Sequence, residues 1–120
     1  MKDINEPFPF DRAGRQFKIS EVRPRIDQYQ KEFPDRATRI NAEAFSKEVF
    51  DQIFSNESCR GIRIYYGRNE GKPSLILVGI DKHGNDIHRV PDGLKDMPGD
   101  DDSGTYGDGM PCPTHCSGGQ

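Results

Sequence analysis

Two cysteines and a histidine lie close together near the C-terminus, at Cys112, His115 and Cys116. Thiolate and imidazole groups are good zinc ligands, and a short spacing lets one turn of the chain supply two of them. Cys59 would supply a further sulfur if the fold brought it near, with His88 as an alternative nitrogen ligand. Zinc is therefore the cofactor that these residue types allow, at a metal site formed by Cys59, Cys112, His115 and Cys116.

Three other interpretations of this cluster remain open. A thiol-redox pair usually has two residues between its cysteines, whereas three residues separate Cys112 from Cys116 within a glycine-rich end. A local disulfide between these cysteines is expected only outside the cytoplasm or after oxidation, because reducing compartments keep thiols free. The remaining interpretation is a tail of small residues without chemistry of its own.

A second group of candidate residues accompanies a β-rich run in the middle of the chain, at Arg63, Tyr65 and Arg68. We predict that these residues contact a partner protein. Aromatic and basic residues on a strand also occur in proteins that bind single-stranded RNA, but the sequence pI is about 5.6 and no lysine-rich run is present. Nucleic acid is therefore the less favoured partner. The sequence contains no nucleophile elbow, phosphate-binding loop or spaced carboxylate pair, which favours a non-enzymatic protein.

A β-hairpin is predicted at the centre of the chain. Two β-rich runs, residues 60–67 and 74–80, are separated by the turn-forming residues 68–73. Successive side chains of a strand point to opposite faces. The apolar side chains that share one face of the first strand are Ile62, Ile64 and Tyr66. With Arg63 and Tyr65 on the other face, we expect one dry and one wet side. The second run is almost entirely apolar, so we expect it to be a central strand.

Two amphipathic helices are predicted before the hairpin. Apolar residues recur at helical spacing through residues 22–33, and Pro34 ends this helix. The second helix carries five large apolar residues, Phe45, Val49, Phe50, Ile53 and Phe54. Asn41 and Ser46 are both good N-caps for it, and we expect the helix to be established by Ala42.

These elements predict a small α+β fold, in which two amphipathic helices pack on one face of a three- to four-stranded antiparallel sheet. Residues 87–90 would supply a short third strand. Residues 1–90 form the body, with residues 1–16 as an extended N-terminal segment. Residues 91–120 form a Gly/Pro/Asp-rich tail that holds the cysteine–histidine cluster.

The charge is unevenly distributed between the predicted body and the predicted tail. The tail has six aspartates and one lysine, so it carries −5, and the body carries +2 because the whole chain carries −3. An acidic tail is either solvated or paired with basic groups of the body or of a partner. No apolar run approaches the roughly 20 residues that a membrane helix needs. An odd number of cysteines and the lack of a signal-peptide core predict a cytoplasmic protein.

Three features of the sequence together resemble a family of small uncharacterised bacterial proteins. They are the strand GIRIYYG at residues 61–67, the run LILVGIDKHGND at residues 75–86, and an ending with paired cysteines. The resemblance covers residues 45–116. It implies that Cys59, Cys112 and Cys116 act as one set, and it implies no activity.

The function that the sequence favours is a non-enzymatic, cytoplasmic module that binds another protein through its sheet face and its C-terminal tail. The alternative is a zinc-binding or thiol-redox protein that uses the three cysteines with a histidine. The second alternative is a protein that binds single-stranded RNA through Tyr65 and its neighbours. The sequence leaves the oligomeric state open.

Overall fold

The computed structural model describes residues 8–35, 38–87, 104–112, 114 and 116, and it has an α+β fold. The elements are a short 3-10 helix (Phe10–Arg12), α1 (Ile19–Glu32), β1 (Ala42–Ala44), α2 (Lys47–Phe54), β2 (Gly61–Asn69), β3 (Lys72–Ile80), β4 (Thr105–Tyr106) and β5 (Met110–Cys112). Among these residues, the strands form two antiparallel sheets. One has the order β2-β3-β4, and the other pairs β1 with β5.

The predicted hairpin is present as strands β2 and β3, which pair from Gly61–Ile80 to Asn69–Lys72. Its two-residue turn has positive φ angles at Glu70 (52°) and Gly71 (80°). Two successive positive φ angles match a type I′ turn, whose twist fits that of the flanking strands. The turn therefore sets the register of the hairpin.

Directly opposed residues of the hairpin share a face of the sheet. We call the face with Ile62, Ile64, Tyr66, Leu75, Leu77 and Gly79 the helix face. The opposite face, with Arg63, Tyr65, Val78 and Ile80, is called the strap face. This assignment follows from the register of the two strands.

The core lies around β3, the central strand of its sheet. Leu77 and Val78 are each 1% exposed and Ile80 is 4% exposed. Leu77 points to the helix face and Val78 to the strap face, so the strand is covered on both sides. This observation confirms the expectation of a central second strand. The expectation of one dry and one wet side is wrong, because Val78 is buried on the face of Arg63 and Tyr65, whereas Ile64 is 49% exposed on the face predicted to be dry.

Helix α2 packs closely on the helix face of β3. A Cβ atom at Gly79 would lie 3.1 Å from Cγ2 of Ile53 and 2.9 Å from Sγ of Cys59. Ile53 is itself only 5% exposed. The lack of a side chain at Gly79 therefore allows the helix and the following loop to approach the strand.

Helix α1 is more exposed than its apolar periodicity predicts. Ile26 is 46% exposed, Tyr29 38% and Phe33 54%. The Tyr29 hydroxyl donates a hydrogen bond to the carbonyl oxygen of Ile40 at 3.1 Å. Arg39 Nη1 donates to the carbonyl oxygen of Phe33 at 3.2 Å. These two hydrogen bonds attach α1 to the segment that follows it. About half of the surface of Ile26 and Phe33 nevertheless remains exposed.

The prediction that the second helix is established by Ala42 is wrong. Ala42–Ala44 is strand β1, and α2 begins only at Lys47, after the N-cap Ser46. Ser46 Oγ accepts a hydrogen bond from the N–H of Val49 at 3.2 Å. Strand pairing with β5, almost seventy residues along the chain, overrides the local helical pattern here.

The described part of the tail pairs with the body. Strand β4 pairs with β3 at Leu77–Tyr106 and Val78–Thr105, and β5 pairs with β1. Asp86 forms an isolated bridge with Ile80 just before the predicted third strand, whose residues 88–90 lie outside the described residues. The predicted division of the chain at residue 91 also lies there and stays a prediction.

The N-terminal segment crosses the strap face. The N–H of Phe8 donates to the carbonyl oxygen of Lys82 at 2.8 Å. The rings of Phe8 and Phe10 lie 4.9 Å apart, and both line a groove with Gly61 and Ile80. The two rings therefore form an apolar strap over this end of the face.

Candidate functional site

The structure joins two of the predicted metal ligands to each other. Cys112 and Cys116 form a disulfide, with Cα atoms 4.8 Å apart. Cys112 is 8% exposed. Cys59 is a free, half-buried thiol, and its Sγ donates to the carbonyl oxygen of Gly61 at 3.2 Å. His115, the remaining predicted ligand, lies outside the described residues.

Zinc would require a different chemical state of these cysteines. Zinc binds thiolates, and the sulfurs of Cys112 and Cys116 are bonded to each other. Within the described ranges, no three His, Cys, Asp or Glu side chains come together as a metal site. The zinc site therefore stays a prediction that concerns the reduced form of the chain.

Reduction of the disulfide is expected to lower the free energy of unfolding by about 2 kcal/mol, the entropy of closing so short a loop. The measurement is urea unfolding with and without a dithiol reductant. Cys112→Ser should reproduce the loss without reductant, whereas Cys59→Ser should retain full sensitivity to reductant. An unchanged unfolding midpoint after complete reduction would contradict the expectation.

The strap face carries a charged cluster formed by Arg63, Tyr65 and Asp86. Arg63 Nη1 donates to Asp86 Oδ1 at 2.6 Å, and the Tyr65 hydroxyl donates to Asp86 Oδ2. The bridge between Ile80 and Asp86 places the aspartate on the side of β3 remote from β2. The carboxylate therefore spans β3 on the strap face, where Val78 is buried, to reach Arg63 and Tyr65 on β2.

A turn positions this aspartate. Asp81 Oδ1 accepts hydrogen bonds from the N–H groups of His83 (2.9 Å) and Asn85 (3.0 Å). Burial alone would raise the pKa of Asp81, but the hydrogen bonds from Asn85 and His83 outweigh it and lower the pKa. The charged carboxylate of Asp81 thus stabilises the turn that delivers Asp86.

The hydrogen bond to Asp86 raises the pKa of Tyr65, because loss of the phenolic proton would leave two anions side by side. The same carboxylate raises the pKa of Arg63. The Tyr65–Asp86 bond contributes stability below the ordinary pKa of tyrosine. That contribution is lost as the pH rises through the higher pKa of Tyr65 in the folded protein.

Asp86→Asn is expected to lower the pKa of Tyr65 to its ordinary value or below, since the anion is removed and Arg63 remains nearby. Tyrosine Cζ chemical shifts followed against pH by NMR measure this directly. The matched control is Asp51→Asn, which removes the exposed ion pair between Lys47 and Asp51. A pKa of Tyr65 that does not respond to Asp86→Asn would show that the hydrogen bond is not populated in solution.

The predicted partner-binding residues divide between the two faces of the sheet. Arg63 and Tyr65 lie on the strap face and are engaged by Asp86. Arg68 projects from the helix face, and its Nη1 donates to the carbonyl oxygen of Gly71 at 3.1 Å. A carboxylate between Arg63 and Tyr65 disfavours a nucleic-acid phosphate there, so the cluster supports the RNA alternative poorly.

An apolar groove of about 390 Å³ lies on the helix face, between helix α1 and the turn end of the hairpin. Its lining residues are Arg25, Ile26, Tyr29, Ile40, Asn41, Ala42, Glu43, Tyr66, Pro73 and Leu75. Tyr66 is 93% exposed and therefore stands at the mouth of the groove. The volume falls within the range of grooves that accept small ligands or side chains of a partner.

The groove also holds an unused hydrogen-bond acceptor. Oδ1 of Asn41 is buried and has no hydrogen-bond partner among the described residues. The N–H of Asn41 donates to the carbonyl oxygen of Cys112 at 2.7 Å. Buried polar atoms are almost always paired. Because Oδ1 of Asn41 is shielded from solvent, an N–H donor of a ligand would reach it only after the side chain turned toward the groove.

Sequence reasoning did not identify the groove or the role of Asp86. No local pattern marks Asp86, because its partners lie more than twenty positions earlier in the chain. The groove is built from three separate stretches, and no local pattern shows that they meet. The one available sign was Tyr66, an aromatic residue at the end of an apolar alternation.

Comparison of the chain with protein-family models, with curated proteins and with solved structures found no match. The resemblance to a family of small bacterial proteins therefore stays a prediction. In the part of the chain that the structure describes, neither helix has the length and apolar character to cross a membrane. The geometry of the groove and of strand β2 remains as the basis for a functional inference.

Proposed function

We propose that this protein is a non-enzymatic interaction module, which binds a segment of another protein by taking an apolar side chain into the groove on the helix face. The observation that carries the proposal is the groove itself, with Ile26 and Leu75 in its walls and the exposed Tyr66 at its mouth. Contiguous exposed apolar surface of this kind marks interaction sites.

The composition of the groove supports a protein segment as its ligand. Tyrosine is enriched at the centre of protein interfaces, because it buries a large area with few rotatable bonds. Arg25 and Glu43 at the rim offer both charges to a partner. A hydrophobic centre with a polar rim is the usual anatomy of such interfaces.

The C-terminal tail contributes to the proposed site indirectly. Strand β5 pairs with β1, and β1 supplies Ala42 and Glu43 to the wall of the groove. Glu43 Oε2 accepts a hydrogen bond from the N–H of Leu75 at 3.0 Å. The tail therefore supports one wall of the groove.

The experiment is selection of binders from a phage-displayed library of random peptides on the full-length protein. Backbone amide shifts then map the binding site. We expect the enriched peptides to shift amides around Ile26, Ala42 and Tyr66. Ile26→Asp should weaken binding by about tenfold or more, since it places a charge in the apolar wall.

The matched control is Ile19→Asp. Ile19 is on the same helix and is 63% exposed, but it does not line the groove. The control should bind the selected peptides like the unmodified protein. Peptides that map elsewhere, or that lose affinity equally in both variants, would remove the proposal, as would a library that yields no binder.

A thiol-redox role is a second candidate, because Cys112 and Cys116 are joined. A dithiol reductant would pass two electrons and two protons to this disulfide and would itself become a disulfide. Disulfides persist in oxidising compartments, so this bond counts against the expected cytoplasmic location, which stays a prediction. Complete resistance to glutathione-type and dithiol reductants in the folded protein would remove the redox candidate.

A further inference from the structure

Alternate residues of strand β2 direct their backbone groups away from the sheet. The two-residue turn closes on the pair Asn69–Lys72, which is a hydrogen-bonded pair in hairpins of this type. Hydrogen-bonded and non-hydrogen-bonded pairs alternate along an antiparallel ladder. The residues of β2 whose N–H and C=O groups point outward are therefore Ile62, Ile64, Tyr66 and Arg68.

Two independent hydrogen bonds support this alternation. The N–H of Leu75, the partner of Tyr66, points away from β2 and donates to Glu43 Oε2 at 3.0 Å. The carbonyl oxygen of Gly79, the partner of Ile62, accepts from the N–H of Ile87 at 2.8 Å on that same side. Both partners therefore leave the backbone groups of Ile62 and Tyr66 without a bond to β3.

The protein protects one side of the hairpin and leaves the other open. On the β3 side, strand β4, the Ile80–Asp86 bridge and the Glu43 carboxylate engage the outward groups. On the β2 side, no hydrogen bond from the described residues reaches the backbone groups of Ile64 or Tyr66. An open edge of this length is a template for strand addition.

The open edge is basic. Arg63 and Arg68 belong to β2, and Arg60 directly precedes it. Of these three arginines, only Arg63 forms an ion pair within the described ranges, with Asp86. The guanidinium groups of Arg60 and Arg68 donate hydrogen bonds to the carbonyl oxygens of Glu57 and Gly71. Because a carbonyl oxygen carries no formal charge, these bonds leave both positive charges unbalanced. The two ends of the edge therefore attract carboxylates.

We propose that the edge of β2 binds an extended segment of a partner protein as an added strand, with alternating apolar side chains at its centre and carboxylates at both ends. This inference rests on the proposed function and specifies its ligand. Apolar side chains of the added strand lie on the helix face, beside Ile64 and Tyr66, and continue into the groove. Its carboxylates meet Arg60 and Arg68.

A second copy of this chain would balance the charge of at most one of Arg60 and Arg68. A symmetric antiparallel pair centred on Tyr65 would place Arg60 opposite Glu70 but Arg68 opposite Ile62, and one centred on Ile64 would place Arg60 of each copy opposite Arg68 of the other. Like charges directly opposite each other destabilise a ladder. Charge complementarity therefore favours an acidic segment over self-association.

The experiment uses the peptide acetyl-EETVTVTVEE-amide with the full-length protein. In the free protein, the amides of Ile64 and Tyr66 should exchange with solvent about 100-fold faster than those of Arg63 and Tyr65, which point to β3. The peptide should slow exchange at Ile64 and Tyr66. The peptide acetyl-KKTVTVTVKK-amide should bind about tenfold more weakly, with the difference shrinking at high salt.

N-methylated peptides separate strand addition from simple occupation of the groove. In the proposed register the valines of the peptide lie opposite Ile64 and Tyr66, whose backbone groups point outward, and form hydrogen-bonded pairs with them. The valine N–H groups therefore point toward β2, and the threonine N–H groups point to solvent. N-methylation of the central valines should weaken binding about tenfold or more. N-methylation of the central threonines should have little effect.

Several results would overturn the inference. Equal tolerance of valine and threonine methylation would mean that the peptide binds in the groove without backbone hydrogen bonds to β2. Binding only of peptides with a different pattern would have the same meaning. In both cases the strand-addition inference fails and the proposed function is retained. If no peptide binds at all, both proposals fail. Amides of Ile64 and Tyr66 that are protected without peptide mean that the edge is already covered. Concentration-dependent protection would identify a second copy, and concentration-independent protection would identify the chain itself.

Discussion

Tyr66→Pro is expected to preserve the fold, whereas Tyr65→Pro should lower the free energy of unfolding by about 3 kcal/mol. Proline lacks the N–H group and is tolerated in a strand only where that group faces outward. The N–H of Tyr66 points away from β3, while that of Tyr65 belongs to the pair with Ile76. Adjacent tyrosines should therefore respond in opposite ways.

Urea unfolding of the two proline variants measures this difference, and alanine variants at the same positions provide the controls. The difference between proline and alanine at each position isolates the backbone effect from the loss of the ring. This correction matters at Tyr65, whose hydroxyl donates to Asp86. Equal proline effects at both positions would contradict the hydrogen-bond alternation of β2. Tyr66→Pro should also abolish binding of an added strand while the fold persists.

Leu77→Ala is expected to lower the free energy of unfolding by about 3 kcal/mol, and so to bring the protein close to unfolding. Leu77 is 1% exposed and sits on the central strand. Its truncation removes buried apolar surface and leaves a cavity, and such changes cost about 2–5 kcal/mol. Total stabilities of small domains are only about 5–15 kcal/mol.

The control for this variant is Ile64→Ala. Ile64 lies directly opposite Leu77 on the same face of the sheet, but it is 49% exposed. Its truncation should cost about 1 kcal/mol or less, because half of the side chain already contacts solvent in the folded state. Similar costs at the two positions would contradict a core centred on β3. In that case Ile64 would be covered in solution, by a partner or by the chain.

The contrast between Ile64 and Leu77 also explains how a binding surface arises in this fold. Strand β2 is an edge strand, and its apolar alternation continues beyond the cover that the helices provide. Helix α2 covers the end of the helix face at Gly79, and α1 stands over the turn end. Apolar side chains between these covers remain exposed, and this exposed surface adjoins both the groove and the open edge.

The sequence predicted the hairpin well because its determinants are local. Apolar alternation, β-branched residues and a turn-forming break all lie within twenty positions. Ser46 likewise supplies its cap within three residues of the chain. The α+β class followed from adding the helical periodicities to this hairpin, and the structure confirms it.

The prediction failed where a distant segment decides the local structure. Ala42–Ala44 has the composition of a helix start, yet it is a strand because Met110–Cys112 pairs with it. The tail composition likewise favours a solvated segment, although its residues 105–106 complete the sheet beside β3. A short polar segment gains order from a preformed edge, whose hydrogen-bond groups offset the entropy of fixing it.

By itself, the sequence determined where the chain turns and which side chains of each strand share a face, and it marked Ser46 as one of two caps for helix α2. These properties depend on φ preferences, on the two-residue period of a strand and on a capping hydroxyl, all of which act between near neighbours. Tertiary structure alone decided that Ser46 and not Asn41 caps α2, that Asp86 joins Arg63 to Tyr65, and that β2 keeps its outer edge open among the described residues. Those outcomes depend on contacts between segments that are far apart in the chain. Burial and hydrogen bonding across the whole fold decide which of these contacts form.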